Sequence, residues 1–133
     1  EEPETAVQSN GERHSDLYDG RNDSDHRHFA SAAAIVAELA ARQPAEEEAV
    51  LSHGDYCLPN VFLADGRVAG FLDLGRAGVA SPWQDISLCV RSLRYNFETL
   101  RGESAPIDAF FCALGREPDW ERIEYYRLLD ELF

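Results

Sequence analysis

The feature that most constrains the fold of this chain is an Asp65–Gly66 pair between two β-prone runs, residues 61–63 and 68–72. An Asp-Gly pair suits the two-residue turn that joins antiparallel strands, because both turn positions need a positive φ. The sequence therefore predicts a β-hairpin. With a two-residue turn, residue 61 should pair with 70 and residue 60 with 71, which brings Asp73 within about two residues of Asn60 across the ladder.

Apolar residues at helical spacing account for much of the remaining chain. They predict helices over residues 29–43, 82–97, 106–114 and 118–133, with a short strand at 49–51. Residues 1–28 are polar and acidic, without helical or strand periodicity, and we interpret them as a loop or disordered segment. The predicted folded unit is therefore residues 29–133, of the α+β class.

The helix predicted over residues 82–97 has the clearest start signals. Ser81 suits the N-cap, Pro82 the first helical position, and Gln84 the partner position of a capping box. The expected core residues of this helix are Trp83, Ile86, Val90, Leu93 and Phe97. Those of the last helix are Trp120, Ile123, Tyr126, Leu129 and Phe133.

Length and charge exclude several classes of protein. The chain has 133 residues, which suits one domain, and its formal charge is −13. Such a charge disfavours binding to nucleic acid or anionic membranes and favours cationic partners. Its three cysteines are an odd number at unrelated spacings, and residues 1–10 lack a secretory signal, so we expect a cytoplasmic protein.

Polar residues suited to phosphoryl transfer flank the predicted hairpin. Asp55 and Asn60 precede it, and Asp73 follows it. An Asn oxygen and an Asp carboxylate at the same end of a hairpin can share magnesium, whose other ligands would be water and phosphate oxygens. Asp55 can then take the proton of an attacking hydroxyl. His53 is expected to be structural, with its ring bonded to the loop backbone.

The pattern His53-x-Asp55-x-x-x-x-Asn60, followed by Asp73-Leu74-Gly75, resembles the catalytic loop and metal-binding segment of the kinase superfamily. Protein kinases read H-R-D-x-x-x-x-N and D-F-G at these places. With Gly54 in place of the arginine, the chain looks more like the aminoglycoside 3'-phosphotransferase family of antibiotic kinases. That similarity extends over about residues 46–133. It implies the mainly helical C-terminal lobe of the protein-kinase-like fold.

The resemblance also implies roles for particular residues, with ATP and magnesium as cofactors. By it, Asp55 is the catalytic base, Asn60 and Asp73 hold magnesium, and Arg76 supports the nucleotide end. This machinery would transfer phosphate to a hydroxyl of an aminoglycoside and so confer antibiotic resistance.

The same resemblance implies an acidic substrate site. Asp130, Glu131 and the carboxylate of Phe133 would line it, and Asp23 and Asp25 fall where the family has an acidic recognition loop. Carboxylates suit such a substrate because aminoglycosides are polycations.

The family's glycine-rich nucleotide loop and phosphate-binding lysine lie upstream of the matched region, and this chain contains neither lysine nor methionine. We therefore expect the C-terminal lobe of a longer enzyme, without its N-terminal nucleotide lobe and inactive when isolated. Two alternatives remain: a kinase for choline, homoserine or a sugar amine, and a non-catalytic substrate-binding remnant. The ending 130–133 favours the aminoglycoside branch, and the intact Asp55, Asn60 and Asp73 argue against a remnant.

Overall fold

The computed structural model describes residues 31–45 and 48–133. The helices in these ranges are α1 (Ala32–Arg42), α2 (Pro82–Arg94), α3 (Ile107–Leu114) and α4 (Trp120–Asp130). The strands are β1 (Val50–Ser52), β2 (Val61–Ala64), β3 (Arg67–Phe71) and β4 (Gly78–Ala80). Short 3-10 turns cover Leu58–Asn60 and Leu74–Arg76, and a π-helical turn covers Tyr95–Thr99. The segment 1–28, interpreted above as loop, lies outside the described residues.

The predicted hairpin is confirmed, as β2 and β3, and residue 64 pairs with 67 as a two-residue turn requires, but the predicted register is wrong by one residue at the end away from the turn. Asp65 and Gly66 form the turn with φ of 51° and 71°. A bulge after the first two pairs of residues leaves one extra residue in β3, so Val61 faces Phe71 instead of residue 70. Beyond the strands, the Leu72 N–H donates to the carbonyl oxygen of Asn60 at 2.9 Å. Asp73, the next residue, therefore still lies beside Asn60.

A second antiparallel pair encloses this region. Strand β1 pairs with β4, with Val50 opposite Ala80 and Ser52 opposite Gly78. The predicted strand is thus found one residue later than expected, and its partner β4 was not predicted. Residues 53–77 connect these two paired strands. The pairing therefore fixes the start of the loop before the hairpin close to the end of the segment after it.

Helices α2, α3 and α4 form the core. Its central buried side chains are Trp83, Ile86, Val90, Phe111, Ile123 and Tyr126. The prediction for α4 was wrong at its ends, since Trp120 is 43% exposed and Phe133 is 82% exposed. Residue 133 lies beyond the last helical residue, Asp130, so helical spacing no longer applies to it.

The C-terminal end of the second predicted helix departs from regular α geometry. Helix α2 continues into the π-helical turn Tyr95–Thr99. A π turn is wider than an α turn and changes which side chains face inward. Asn96 is consequently 1% exposed, whereas Phe97, a predicted core residue, is only half-buried.

The start of α2 confirms the predicted N-cap. The Ser81 hydroxyl accepts a hydrogen bond from the Trp83 N–H at 3.2 Å, and Pro82 is the first helical residue. The side chain of Gln84, expected to complete a capping box, instead donates to the carbonyl oxygen of Gly54 at 3.5 Å. None of the helices in the described ranges combines the length and apolar character that a membrane span requires.

Candidate active site

The loop of residues 53–60, between β1 and β2, is held at its start by the carboxylate of Asp85. Asp85 accepts hydrogen bonds from the backbone N–H groups of His53 at 2.7 Å and Gly54 at 2.9 Å. Bonds to an ionised acceptor are stronger than neutral ones. Sequence reasoning missed this role, because an acidic residue in the first turn of a helix is already favoured there by the helix dipole. The first turn of α2 therefore fixes where the 53–60 loop begins.

Gly54 occupies a position that no other residue could fill without a rearrangement. Its φ is +84°, and a Cβ built there would lie 2.2 Å from the carbonyl oxygen of Arg76. The loop backbone thus packs directly on the backbone that follows the hairpin. This contact explains why the H-x-D pattern of this chain has glycine at its middle position.

We expect Gly54→Ala to lower the free energy of unfolding by about 2–4 kcal/mol, because it adds a backbone clash to an unfavourable φ. Gly66→Ala is the matched control: its φ is +71°, but nothing lies within 4 Å of a Cβ built there. That variant should lose only about 1–2 kcal/mol. Urea denaturation measures both losses of unfolding free energy. Equal losses would show that the contact with Arg76 is unimportant.

Asp55 lies inside the loop, 7% exposed. Its backbone N–H donates to Nδ1 of His53 at 3.2 Å, which confirms the predicted bonding of the His53 ring to loop backbone. Nδ2 of Asn60 donates to the carbonyl oxygen of Asp55 at 2.9 Å and to its carboxylate oxygen Oδ2 at 3.3 Å. These bonds orient the Asn60 amide, so its oxygen points away from Asp55.

Asp73 lies at the same end of the hairpin as Asn60 and is exposed. Its backbone is left-handed, with φ and ψ of 54°, a conformation that Asp tolerates better than most residues. The Asn60 amide oxygen and the Asp73 carboxylate are hard oxygen donors, which fit magnesium. Among the described residues no three His, Cys, Asp or Glu side chains form a metal-binding group. Two protein ligands would suit magnesium, which usually keeps several waters or phosphate oxygens.

Asp130, the last residue of α4, joins the segment after the hairpin to helix α2. Its carboxylate accepts from Arg76 at 3.0 Å and from Arg91 at 2.9 Å, and the side chain is 6% exposed. The Arg76 guanidinium also lies 5.2 Å from the centroid of the Phe133 ring. Glu131 and Phe133 are exposed. The C-terminal residues are thus brought next to the segment that contains Asp73, whereas Asp23 and Asp25 lie outside the described residues.

A buried thiol lies behind the 53–60 loop. Cys89 on α2 is 5% exposed. Burial, with smaller contributions from Cys57 and Asp85, raises the pKa of Cys89 to about 12. A thiol with that pKa is protonated at neutral pH, and Cys89 is therefore an unreactive buried side chain.

Comparison with known proteins gives this geometry a context. A family model described as "Phosphotransferase enzyme family" matches residues 2–126. An aminoglycoside 3'-phosphotransferase from Enterococcus faecalis is 54% identical over 88 residues, which are 66% of this chain and 32% of the relative. The chain spans about a third of the length of two curated relatives that it matches.

Solved structures give the same relationship. A crystal structure of a type VIII aminoglycoside-3'-phosphotransferase matches with a TM-score of 0.69 and 30% identity, over 84% of this chain and 43% of that one. An aminoglycoside phosphotransferase from Streptomyces rimosus, in complex with ADP and streptomycin, matches with a TM-score of 0.55 and 35% identity, over 72% of this chain and 35% of that one. The predicted fold class is thereby confirmed. The chain belongs to the phosphotransferase enzyme family, and what it shares with the family's aminoglycoside kinases is a region of about a third of their length.

Proposed function

We propose that this chain carries the catalytic loop of a cytoplasmic kinase that uses ATP and magnesium to phosphorylate a hydroxyl of an aminoglycoside antibiotic. The observation that carries the proposal is the pair of hydrogen bonds from the Asn60 amide to Asp55. They bring a base and a metal ligand together at the end of the hairpin where Asp73 lies. The names of the relatives, and the ADP and streptomycin in one of the solved structures, support this choice of substrates.

In this proposal Asp55 is the catalytic base. One of its carboxylate oxygens takes the proton of the substrate hydroxyl while the hydroxyl oxygen bonds to the γ-phosphorus and ADP leaves. Magnesium, held by the Asn60 amide oxygen and the Asp73 carboxylate, would neutralise charge on the phosphates. The left-handed backbone of Asp73 and the anchored amide of Asn60 orient these two ligands before substrate arrives.

The cationic substrate would lie against the C-terminal residues. We propose that Glu131 and the carboxylate of Phe133 bind its amines, with Asp130 in the wall of the site. Because Asp130 is bonded to Arg76 and Arg91, its own charge is already balanced, and the exposed acidic groups next to it would supply most of the attraction. Asp23 and Asp25 stay proposed as further acidic contacts, and Arg76 as support for the nucleotide end.

The phosphates of ATP need cations to neutralise their charge, and this chain supplies ligands for magnesium but no lysine. Phosphoryl transfer depends on a lysine that binds the phosphates, and the chain contains no lysine. We propose that the glycine-rich loop and this lysine belong to an N-terminal lobe of the same enzyme.

ADP release measured with a panel of acceptors tests the proposal. The full-length enzyme should release ADP with kanamycin or streptomycin and magnesium, and this chain alone should release none, because the phosphate-binding lysine is missing. Choline, homoserine and simple sugar amines are the control acceptors. ADP release with one of these, and with no aminoglycoside, would identify the alternative small-molecule kinase. Aminoglycoside binding without ADP release by the full-length enzyme would identify a non-catalytic remnant.

A further inference from the structure

We propose that Ser92 and Asn96 are positioning residues for the 53–60 loop. The Ser92 hydroxyl holds the backbone N–H of Leu58, and Asn96 holds that hydroxyl in place. The inference rests on the proposed function, since it concerns how the loop that contains Asp55 and Asn60 is kept in its active shape.

The first contact is between the loop and helix α2. The Leu58 N–H donates to Oγ of Ser92 at 3.0 Å, and Ser92 is 0% exposed. Leu58 is the first residue of the 3-10 turn that ends at Asn60, and the side chain of the preceding Cys57 does not cap this turn. A helical turn leaves its first N–H groups without internal partners. Ser92 therefore supplies, from another element, the acceptor that a local cap usually provides.

The second contact is within the C-terminal end of α2. Nδ2 of Asn96 donates to the carbonyl oxygen of Ser92 at 2.8 Å and lies 3.4 Å from its Oγ. A hydroxyl oxygen has two lone pairs. The Leu58 N–H and the Asn96 amide approach the same oxygen, so together they orient it. Asn96 is 1% exposed and belongs to the π-helical turn, a feature that recurs at functional sites.

These contacts make a second support for the loop. Asp85 fixes the loop at residues 53 and 54, and Ser92 fixes it at residue 58. Asp55 lies between the two supports, and Asn60 follows the second. Without the Ser92 hydroxyl, the partly buried Leu58 N–H loses its acceptor and the turn that orients Asn60 loosens. Displacements of about 1 Å can cost on the order of 100-fold in rate.

The test compares Ser92→Ala with Ser87→Ala in the full-length enzyme. Ser87 is a matched control, because it is also 0% exposed on α2 but its hydroxyl donates to the carbonyl oxygen of Gln84 in the same helix. Ser92→Ala should lower kcat by about tenfold or more and raise the magnesium concentration needed for half-maximal rate, with the aminoglycoside KM changed less than about twofold. Ser87→Ala should leave all three values close to those of the unsubstituted enzyme. Equal kcat losses in the two variants, or an unchanged kcat in Ser92→Ala, would overturn the inference.

Two further variants separate positioning from simple packing. Ser92→Thr keeps the hydroxyl and should recover most of the kcat lost in Ser92→Ala. Asn96→Leu keeps the side-chain volume but removes the amide, and it should reproduce the raised magnesium requirement. Recovery of kcat by Ser92→Val, which has the shape of threonine without the hydroxyl, would contradict the role of the hydrogen bond.

Amide hydrogen exchange tests the contact between Leu58 and Ser92 without measuring catalytic activity. In amide-resolved exchange by NMR, Ser92→Ala should accelerate exchange at Leu58 by about tenfold, because the amide loses its buried acceptor. Ser87→Ala should leave exchange at Leu58 unchanged. If the unsubstituted enzyme phosphorylates no aminoglycoside, the proposed function fails, and accelerated exchange would still show that Ser92 holds the loop. Unchanged exchange at Leu58 in Ser92→Ala would reject the inference itself.

Discussion

Replacing Asp55 with alanine in the full-length enzyme should lower kcat by at least about 100-fold while changing aminoglycoside affinity little, because a catalytic base acts on the transition state. Asp55 is 7% exposed and bonded by the Asn60 amide, so a second variant is needed to keep the loop intact. Asp55→Asn preserves the size of the side chain and an oxygen acceptor for Asn60 but cannot take a proton. It should be almost as slow as Asp55→Ala.

Steady-state kinetics, with binding measured by calorimetry, decide the role of Asp55. A variant that keeps more than about a tenth of the original kcat would contradict its assignment as the base, since such groups usually contribute about 100-fold or more. A large loss of aminoglycoside affinity with unchanged kcat would instead make Asp55 a binding residue.

Replacing Asp73 with asparagine should raise the magnesium concentration for half-maximal rate by about tenfold or more, because a charged ligand is lost from a site with few protein ligands. If Asn60 and Asp73 share one ion, Asn60→Ala combined with Asp73→Asn should cost much less than the sum of the single effects. Magnesium titrations of the two single variants and the double variant measure this coupling.

Asp65→Asn is the matched control for this experiment. Asp65 undergoes the same change of charge and has a similar φ, 51° against 54° for Asp73, but it lies in the turn at the opposite end of the hairpin. Asn tolerates that backbone conformation as well as Asp does. The control should leave the magnesium requirement unchanged. A similar rise in both variants would mean that general electrostatics, and not metal binding, explains the effect.

Much of the local structure follows from short-range signals in the sequence. Asp65 and Gly66 act on the two strands directly beside them, and Ser81 with Pro82 acts on the first turn of α2, so these predictions are confirmed. The spacing from His53 to Asn60, followed by Asp73, likewise identifies the family, because each of these patterns lies within a few consecutive residues.

Predictions that needed an exact geometry were less successful. The bulge after Phe62 moved the hairpin register by one residue, and the π turn moved the buried position from Phe97 to Asn96. The bulge adds one residue to β3, and the π turn widens one turn of the helix. The spacing of apolar residues in the sequence does not reveal a local change of this size.

The tertiary structure alone decided which polar groups pair over long distances in the sequence. Arg91 pairs with Asp130, 39 residues away along the chain. Asp85 holds the His53 N–H across 32 residues, and Ser92 holds the Leu58 N–H across 34. A carboxylate or hydroxyl has no intrinsic preference among distant partners. The partner of such a group is decided when the fold forms. The packing of α2 against α4 and the pairing of β1 with β4 bring particular donors within hydrogen-bond distance and bury the resulting bonds.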